Sequence, residues 1–209
     1  SRGLGDVYKR QPDKDADCPM AHMVDEYFIA RLRKEYEDLC VVCYINSTAE
    51  IKTMSDVCVT SSNAKRIVEA LPNKNILFIP DQNLGKHIAE LVPSKNFLFC
   101  NGYCPTHYRI TPEDILTAKE KHPGAPVLIH PECKPECVEL ADYAGSTSGI
   151  IDYATNDQEH DEFIVVTEIG VIHEMEKRNP GKKFYPATDK LVCPNMKKNT
   201  LEKVRDCLK

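Results

Sequence analysis

The pair Cys-Pro occurs three times in this chain, at Cys18, Cys104 and Cys193. The three cysteines lie 86 and 89 positions apart, which is a nearly constant interval. Thiolates are soft metal ligands, and the proline that follows each cysteine lacks an N–H group and restricts the path of the chain. If the interval reflects repeated domains around an axis, the three thiolates meet at one point and leave a metal position open. Three such ligands suit an iron–sulfur cluster or zinc.

Hydroxyl groups form a second chemical signal. Ser61 and Ser62 precede a helical stretch, and Ser146, Thr147 and Ser148 precede another at the equivalent place of the interval. We predict that both groups lie at the start of a helix, where free N–H groups and the positive end of the helix dipole attract anions. Ordinary helix capping is the alternative for either group alone.

Polar residues follow two apolar runs that are typical of buried strands. Tyr44 and Asn46 end the run "VVCYIN", and His130 and Glu132 end the run "VLIHPE". Ligands of parallel α/β sheets bind beyond the carboxyl ends of the strands. A histidine and a glutamate at such a place can act as acid and base or bind a polar substrate, although an isolated histidine there is more often structural.

The elements that position these residues repeat along the chain. Each copy begins with an apolar run, a helical stretch, an aspartate and a cluster of hydroxyl residues. A helix, a second apolar run that ends in an acid, another helix, a third apolar run and the Cys-Pro pair follow in that order. Strands that alternate with helices predict β-α-β units with parallel sheets covered by helices. Seven residues after each cysteine stands a capping residue followed by glutamate, which predicts three helix starts at Asp25, Thr111 and Thr200.

The composition narrows the function classes. A net charge of −5 over 209 residues argues against general nucleic-acid or membrane-surface binding. The longest apolar runs are far shorter than the roughly 20 residues that span a bilayer. Ten cysteines in a chain without a secretion signal indicate thiols in a reducing compartment, so we expect a cytoplasmic location.

Two further cysteine pairs have their own alternatives. Cys40 and Cys43 form a C-x-x-C, which alone suggests redox chemistry or half a zinc site, but the run "LCVVCYI" favours a buried strand. Cys133 and Cys137 lie one helical turn apart with no matching pair elsewhere, and we interpret them as neighbours without a metal.

Seven segments together resemble the quinolinate synthase (NadA) family. They cover about residues 16 to 209 and are, in order, "CYINSTAEIK", "VTSSNA", "PDQNLG", "NGYCPTH", "HPEC", "GSTSG" and "CPNMKKNTL". The resemblance implies three α/β/α domains with parallel sheets about a pseudo-threefold axis. It also implies a [4Fe-4S] cluster held by Cys18, Cys104 and Cys193, with an open iron that acts as a Lewis acid.

The family reaction is the condensation of iminoaspartate with dihydroxyacetone phosphate to quinolinate in NAD biosynthesis, with loss of phosphate and water. Residues that match substrate-holding positions of the family are Tyr44, Asn46, Ser61, His130, Glu132 and Thr147, and we add the neighbouring Ser146. The resemblance implies that Glu132, His130 and Tyr44 take part in catalysis. It implies small anionic substrates, and an aspartate-oxidising enzyme that supplies iminoaspartate as a partner.

The resemblance also predicts the domain organisation. We expect a non-native or disordered lead-in at residues 1–15, the remnant of a first repeat at 16–24, a second repeat at 25–107, and a third with a C-terminal helix at 108–209. We therefore expect an N-terminally truncated family member that is inactive alone.

Two other functions stay open on the residues. One is another iron–sulfur enzyme with three cysteines and three domains, of the type that forms diphthamide. The other is a zinc-stabilised module without catalysis, which needs a fourth protein ligand that the repeat does not supply.

Overall fold

The computed structural model describes residues 11–209 and contains two four-stranded parallel sheets. The first sheet is built from β1 (Cys40–Tyr44), β2 (Val57–Val59), β3 (Asn75–Ile79) and β4 (Asn96–Phe99). The second sheet is built from β5 (Val127–Ile129), β6 (Tyr143–Ala144), β7 (Glu162–Val166) and β8 (Lys183–Pro186). No helix among these described residues is long and apolar enough to cross a membrane.

Helices connect the strands of both sheets. The first five are α1 (Glu26–Glu35), α2 (Ala49–Thr53), α3 (Ala64–Ala70), α4 (Gln82–Leu91) and α5 (Pro105–Tyr108). The next five are α6 (Pro112–Lys121), α7 (Pro135–Val138), α8 (Thr147–Asn156), α9 (Gly170–Arg178) and α10 (Leu201–Cys207). Short 3-10 helices at Pro19–His22 and Met196–Lys198 follow the first and third Cys-Pro pairs.

The two sheets have the same topology. The strand order is β2-β1-β3-β4 in the first and β6-β5-β7-β8 in the second, and every pairing is parallel. This confirms the predicted α/β class and the internal repeat. The first sheet lies within residues 25–107 and the second within 108–209; the domain limits themselves stay a prediction, and residues 1–10 of the expected lead-in lie outside the described part.

Each sheet is buried on both faces, as a three-layer α/β/α arrangement requires. In β1, Val42 and Tyr44 belong to one apolar core while Val41 and Cys43 belong to another. Strand β5 divides its residues between two cores in the same way. Alternate residues of a strand point to opposite faces, so a fully buried strand is apolar along its whole length.

The same alternation decides the role of the C-x-x-C pair. Cys40 lies in the core on one face of the first sheet and Cys43 in the core on the other face. The two thiols therefore fill core space and do not hold one metal ion together. Cys133 and Cys137 are buried in a single core, where their thiols donate to the carbonyl groups of Val166 and Ile110.

An aspartate ties the start of a central strand to its edge strand in each sheet. The Asp56 carboxylate accepts the N–H of Val41 at 2.7 Å, and the Asp142 carboxylate accepts the N–H of Val127 at 2.8 Å. The N–H groups of the two aspartates donate in return to the carbonyl groups of the same two valines. The aspartate that recurs in the sequence repeat is thus a structural residue of the sheet.

The three predicted helix starts are confirmed. The side chains of Asp25, Thr111 and Thr200 each accept a backbone N–H group from the first turn of the helix that follows. Thr111 forms a full capping box, because the Asp114 side chain also accepts the N–H of Thr111. The repeat therefore continues into the helices that follow each Cys-Pro pair.

The predicted helix start at Ser61 is wrong by three residues. The Asn63 side chain accepts the N–H of Thr60 at 2.7 Å and closes a turn, so α3 begins only at Ala64. In the second unit the prediction is confirmed: Ser146 caps α8 by accepting the N–H of Gly149 at 3.1 Å, and Thr147 is the first helical residue. An asparagine side chain at the turn explains the difference between the two units.

Replacement of Thr111 by alanine tests the capping box. Loss of the hydroxyl leaves the N–H group of Asp114 without its cap, so we expect Thr111→Ala to lower the free energy of unfolding by about 1 kcal/mol. Denaturant unfolding followed by circular dichroism measures the change. Thr117→Ala, on the exposed face of the same helix, is the matched control, and an equal loss in both variants would contradict the role of the cap.

Candidate active site

Polar groups from both sheets meet beyond the carboxyl ends of the central strands. Tyr44 ends β1, and Asp81 lies two residues beyond β3. His130 follows β5 directly, with Glu132 two residues later, and Thr167 follows β7. All five are buried, so the chain has placed five polar side chains in its interior at one edge of the sheets.

Glu132 lies at the centre of this group and is 4% exposed. Its Oε2 atom is 2.8 Å from Nδ1 of His107, and it accepts a hydrogen bond from the Tyr44 hydroxyl. Burial alone raises the pKa of a carboxyl group, but His107, His130 and the Tyr44 hydroxyl outweigh it and lower the pKa of Glu132. Glu132 is therefore a buried carboxylate that carries its negative charge at neutral pH.

His107 joins the two repeats. It belongs to α5 of the first unit, and its Nδ1 atom is 3.2 Å from Sγ of Cys104. Its Nε2 atom is 3.0 Å from the hydroxyl oxygen of Thr167 in the second unit. Its ring also stacks on the ring of His130, with centroids 5.2 Å apart. His107 thus holds Cys104 and Glu132 in fixed positions, although the sequence patterns did not select it as a site residue.

His130 is in its neutral form. The N–H of Glu132 donates to Nδ1 of His130 at 3.3 Å, which assigns the proton of the ring to Nε2. Burial lowers the pKa of His130 to about 4, against the opposing effect of Glu132. His130 therefore offers a hydrogen-bond donor beside a carboxylate, as the proposed acid and base pair needs.

Asp81 is fully buried and anchors the same edge of the first sheet. Its Oδ1 atom accepts the N–H groups of Asn83 and Leu84 at 2.9 Å each, and its Oδ2 atom accepts the N–H of Cys104 at 3.1 Å. Burial and the charge of Glu132 raise the pKa of Asp81 to about 8, against these three donors. The Asn83 side chain donates to the carbonyl group of Glu132 at 3.1 Å and links the two units.

The loops around the three Cys-Pro pairs are tied to one another in a closed ring. Three hydrogen bonds make the ring: Tyr103 N to Met23 Sδ at 3.4 Å, Arg109 Nη2 to Val192 O at 2.5 Å, and Lys198 Nζ to Asp15 O at 2.7 Å. Each bond joins the loop of one cysteine to the loop of another. The contacts therefore join residues that lie at least 80 positions apart in sequence.

Two of the three cysteines of these loops, Cys18 and Cys104, interact electrostatically with Glu132, and Cys193 interacts with Cys18. All three are half-buried. Burial raises the pKa of Cys18 and Cys104, the charge of Glu132 raises it further in both, and Cys193 adds to the effect on Cys18. Thiols so placed stay protonated until a bound cation displaces the proton. Two such thiols, together with the half-buried thiol of Cys193, fit a soft, positively charged centre.

A second donor set shares one of these cysteines. Cys104, His107 and Glu132 place one ligand atom each within 4.8 Å of one another and form a possible metal site. Sulfur, nitrogen and oxygen donors with an open position are typical of zinc, whereas three thiolates are typical of iron–sulfur clusters. His107 and Glu132 already bind each other, so both can also serve as the surroundings of a metal held by the cysteines.

The other residues selected from the sequence lie at the same edge but closer to solvent. Asn46 is exposed beyond β1, and Ser61 lies in the turn after β2. Ser146 and Thr147 stand at the start of α8, where Ser146 is half-buried and Thr147 exposed. The structure therefore brings the buried Tyr44, His130 and Glu132 together with the half-buried Cys104 and leaves the amide and hydroxyl residues around them.

Known proteins match the chain over almost its whole length. A protein family model described as "Quinolinate synthetase A protein" matches residues 9–209. Curated quinolinate synthases of Caldicellulosiruptor saccharolyticus and Clostridioides difficile are each 52% identical to the chain, over 94% and 95% of it. The quinolinate synthase of Methanoregula boonei is 47% identical over 94% of the chain.

These matches cover 65% of the length of each of the three relatives, so the chain spans somewhat less than two thirds of them. The relatives are quinolinate synthases, the family that the seven sequence segments resemble. The matches therefore favour this family over a diphthamide-type enzyme or a zinc-stabilised module. Since the family model matches nearly all of the chain, the chain belongs to the quinolinate synthetase A family.

Proposed function

We propose that this chain supplies the metal ligands and most of the substrate site of a quinolinate synthase, which forms quinolinate from iminoaspartate and dihydroxyacetone phosphate. The observation that carries the proposal is the closed ring of three Cys-Pro loops, in which Cys104 forms one donor set with His107 and the buried Glu132. Together with the family membership, it favours an enzyme with one central metal over a binding module.

Cys18, Cys104 and Cys193 would hold a [4Fe-4S] cluster. Their number and type fit the group, because a four-iron cluster with three protein ligands keeps one iron open. When bound, that iron supplies a Lewis acid for the oxygen-bearing groups of the substrate. His107 would position Cys104, since its ring is fixed on one side by Glu132 and on the other by Thr167.

Glu132 and His130 would move protons during the condensation. Glu132 is ionised and can accept a proton, while the neutral His130 can donate the proton on Nε2. The Tyr44 hydroxyl donates to Glu132 and would orient its carboxylate toward the substrate. The burial of all three residues keeps water away from the exchange.

The amide and hydroxyl residues that lie closer to solvent would hold the anionic ends of the substrates. The start of α8 offers free backbone N–H groups and the Thr147 hydroxyl, which suit a carboxylate or a phosphate. Asn46 and Ser61 would bind from the first unit. The substrates are small anions, and a cytoplasmic aspartate-oxidising enzyme would supply iminoaspartate, which is unstable in water.

Metal analysis tests the cluster. After anaerobic reconstitution we expect roughly four iron and four sulfide per chain, and loss of both in Cys104→Ser. Cys58→Ser is the matched control, because Cys58 is an exposed thiol on the edge strand β2. Zinc without sulfide, or iron that is indifferent to Cys104, would contradict the cluster.

A chimera tests the reaction. Residues 16–209 replace the matching part of the Caldicellulosiruptor saccharolyticus relative, and quinolinate is measured by chromatography after supply of both substrates. We expect the chimera to form quinolinate. We expect the rate to fall by roughly 100-fold or more in Glu132→Gln, because glutamine cannot act as a general base. The exposed Glu136, changed to glutamine, is the control. A folded chimera that holds the cluster but forms no quinolinate would refute the proposal.

A further inference from the structure

We propose that Asp81 and Glu168 are positioning residues, and that each holds the backbone of one metal-binding cysteine through a carboxyl-to-amide hydrogen bond. The inference deepens the proposed function and rests on its metal centre. Neither acid is one of the ligands or substrate residues considered above, yet both stand at the same place of the repeat, beyond the third strand of each unit.

The two units make the same contact to their cysteine. Oδ2 of Asp81 accepts the N–H of Cys104 at 3.1 Å, and Oε1 of Glu168 accepts the N–H of Cys193 at 3.3 Å. The acids precede their cysteines by 23 and 25 residues, so the contact joins distant parts of each unit. Two side chains of different length reach the same atom of equivalent residues.

A second hydrogen bond accompanies each contact. The N–H of Gln82 donates to the carbonyl group of Gly102 at 2.9 Å, and the N–H of Ile169 donates to that of Leu191 at 2.9 Å. In both units the donor follows the acid and the acceptor lies two residues before the cysteine. The pair of bonds clamps the segment before each cysteine against the end of a strand.

The clamp explains why a carboxyl group stands at these positions. One oxygen of each acid accepts N–H groups at the start of the next helix: Asp81 Oδ1 accepts from Asn83 and Leu84, and Glu168 Oε2 accepts from Gly170 at 2.8 Å. The other oxygen accepts from the cysteine, and in Glu168 that oxygen also lies 2.8 Å from Nζ of Lys197. Serine, threonine and asparagine cap helices well but have a single oxygen in the side chain, so they do not serve both contacts at once.

The close approach of the backbone supports the same interpretation. A Cβ atom on Gly102 would lie 2.2 Å from the carbonyl oxygen of Pro80, so the loop before Cys104 fits only with glycine. Pro105 restricts the chain after the cysteine. Cys104 is thus fixed on both sides, and such outer contacts tune the affinity of metal sites. Cys18 has a local version, since its N–H donates to the neighbouring Asp17 at 2.8 Å.

The substitution Asp81→Asn separates the two contacts. The remaining oxygen can still cap α4, while the new NH₂ group faces the N–H of Cys104 as one donor against another. Asp25→Asn is the matched control, because Asp25 caps α1 through the N–H of Phe28 alone. Glu168→Gln repeats the test at the second cysteine and serves if Asp81→Asn does not fold. Lys197→Gln is its control, because it removes the ion pair with Glu168 and leaves the contact to Cys193.

Cobalt(II) binding to the metal-free chain is the measurement, followed by the thiolate-to-cobalt absorption band. We expect roughly 10- to 100-fold weaker binding and a weaker band per bound ion in Asp81→Asn and in Glu168→Gln, with no change in Asp25→Asn. If both variants bind cobalt with the affinity and the thiolate-to-cobalt band intensity of the wild type, the proposed role of the two acids is wrong. A wild-type chain that binds cobalt through its thiols but forms no iron–sulfur cluster would overturn the proposed cofactor and leave the clamp intact.

Discussion

The contact between the His107 ring and the Glu132 carboxylate is the interaction on which the site depends. A carboxylate removed from water costs several kcal/mol unless other groups satisfy it. Glu132 belongs to the second unit, whereas His107 and Tyr44, two of its partners, belong to the first. The charge at the centre is therefore stable only when both units are in place, and the site exists only at their junction.

Fixed backbone at the ends of the strands makes this junction possible. The carboxyl ends of the central strands carry Tyr44, Asp81 and His130 into the same region, and the sheets behind them are buried on both faces. Asp81 and Glu132 are two buried acids close together. They differ because Glu132 has histidine and tyrosine partners, while the donors to Asp81 among the described residues are backbone N–H groups. One fold thus creates two carboxyl groups with opposite pKa shifts, which is typical of functional sites.

Much of this arrangement could be predicted from the sequence. The parallel sheets, the repeat and the helix starts at Asp25, Thr111 and Thr200 follow from local patterns, because apolar runs and capping residues act over a few positions. His107 and Asn83 were missed, since their partners Thr167 and Glu132 lie 60 and 49 residues away. The one local pattern that could have indicated a role for His107 is its position three residues after Cys104.

The central claim is that three cysteines distant in sequence converge on one point. Binding of arsenite, which takes three thiolates as soft ligands, measures this convergence without any cluster chemistry. Mass spectrometry of the reduced chain should show one arsenic per chain, and the adduct should be lost when Cys18, Cys104 or Cys193 is changed to serine. It should persist in Cys58→Ser. An adduct that survives each of the three single changes would contradict the convergence.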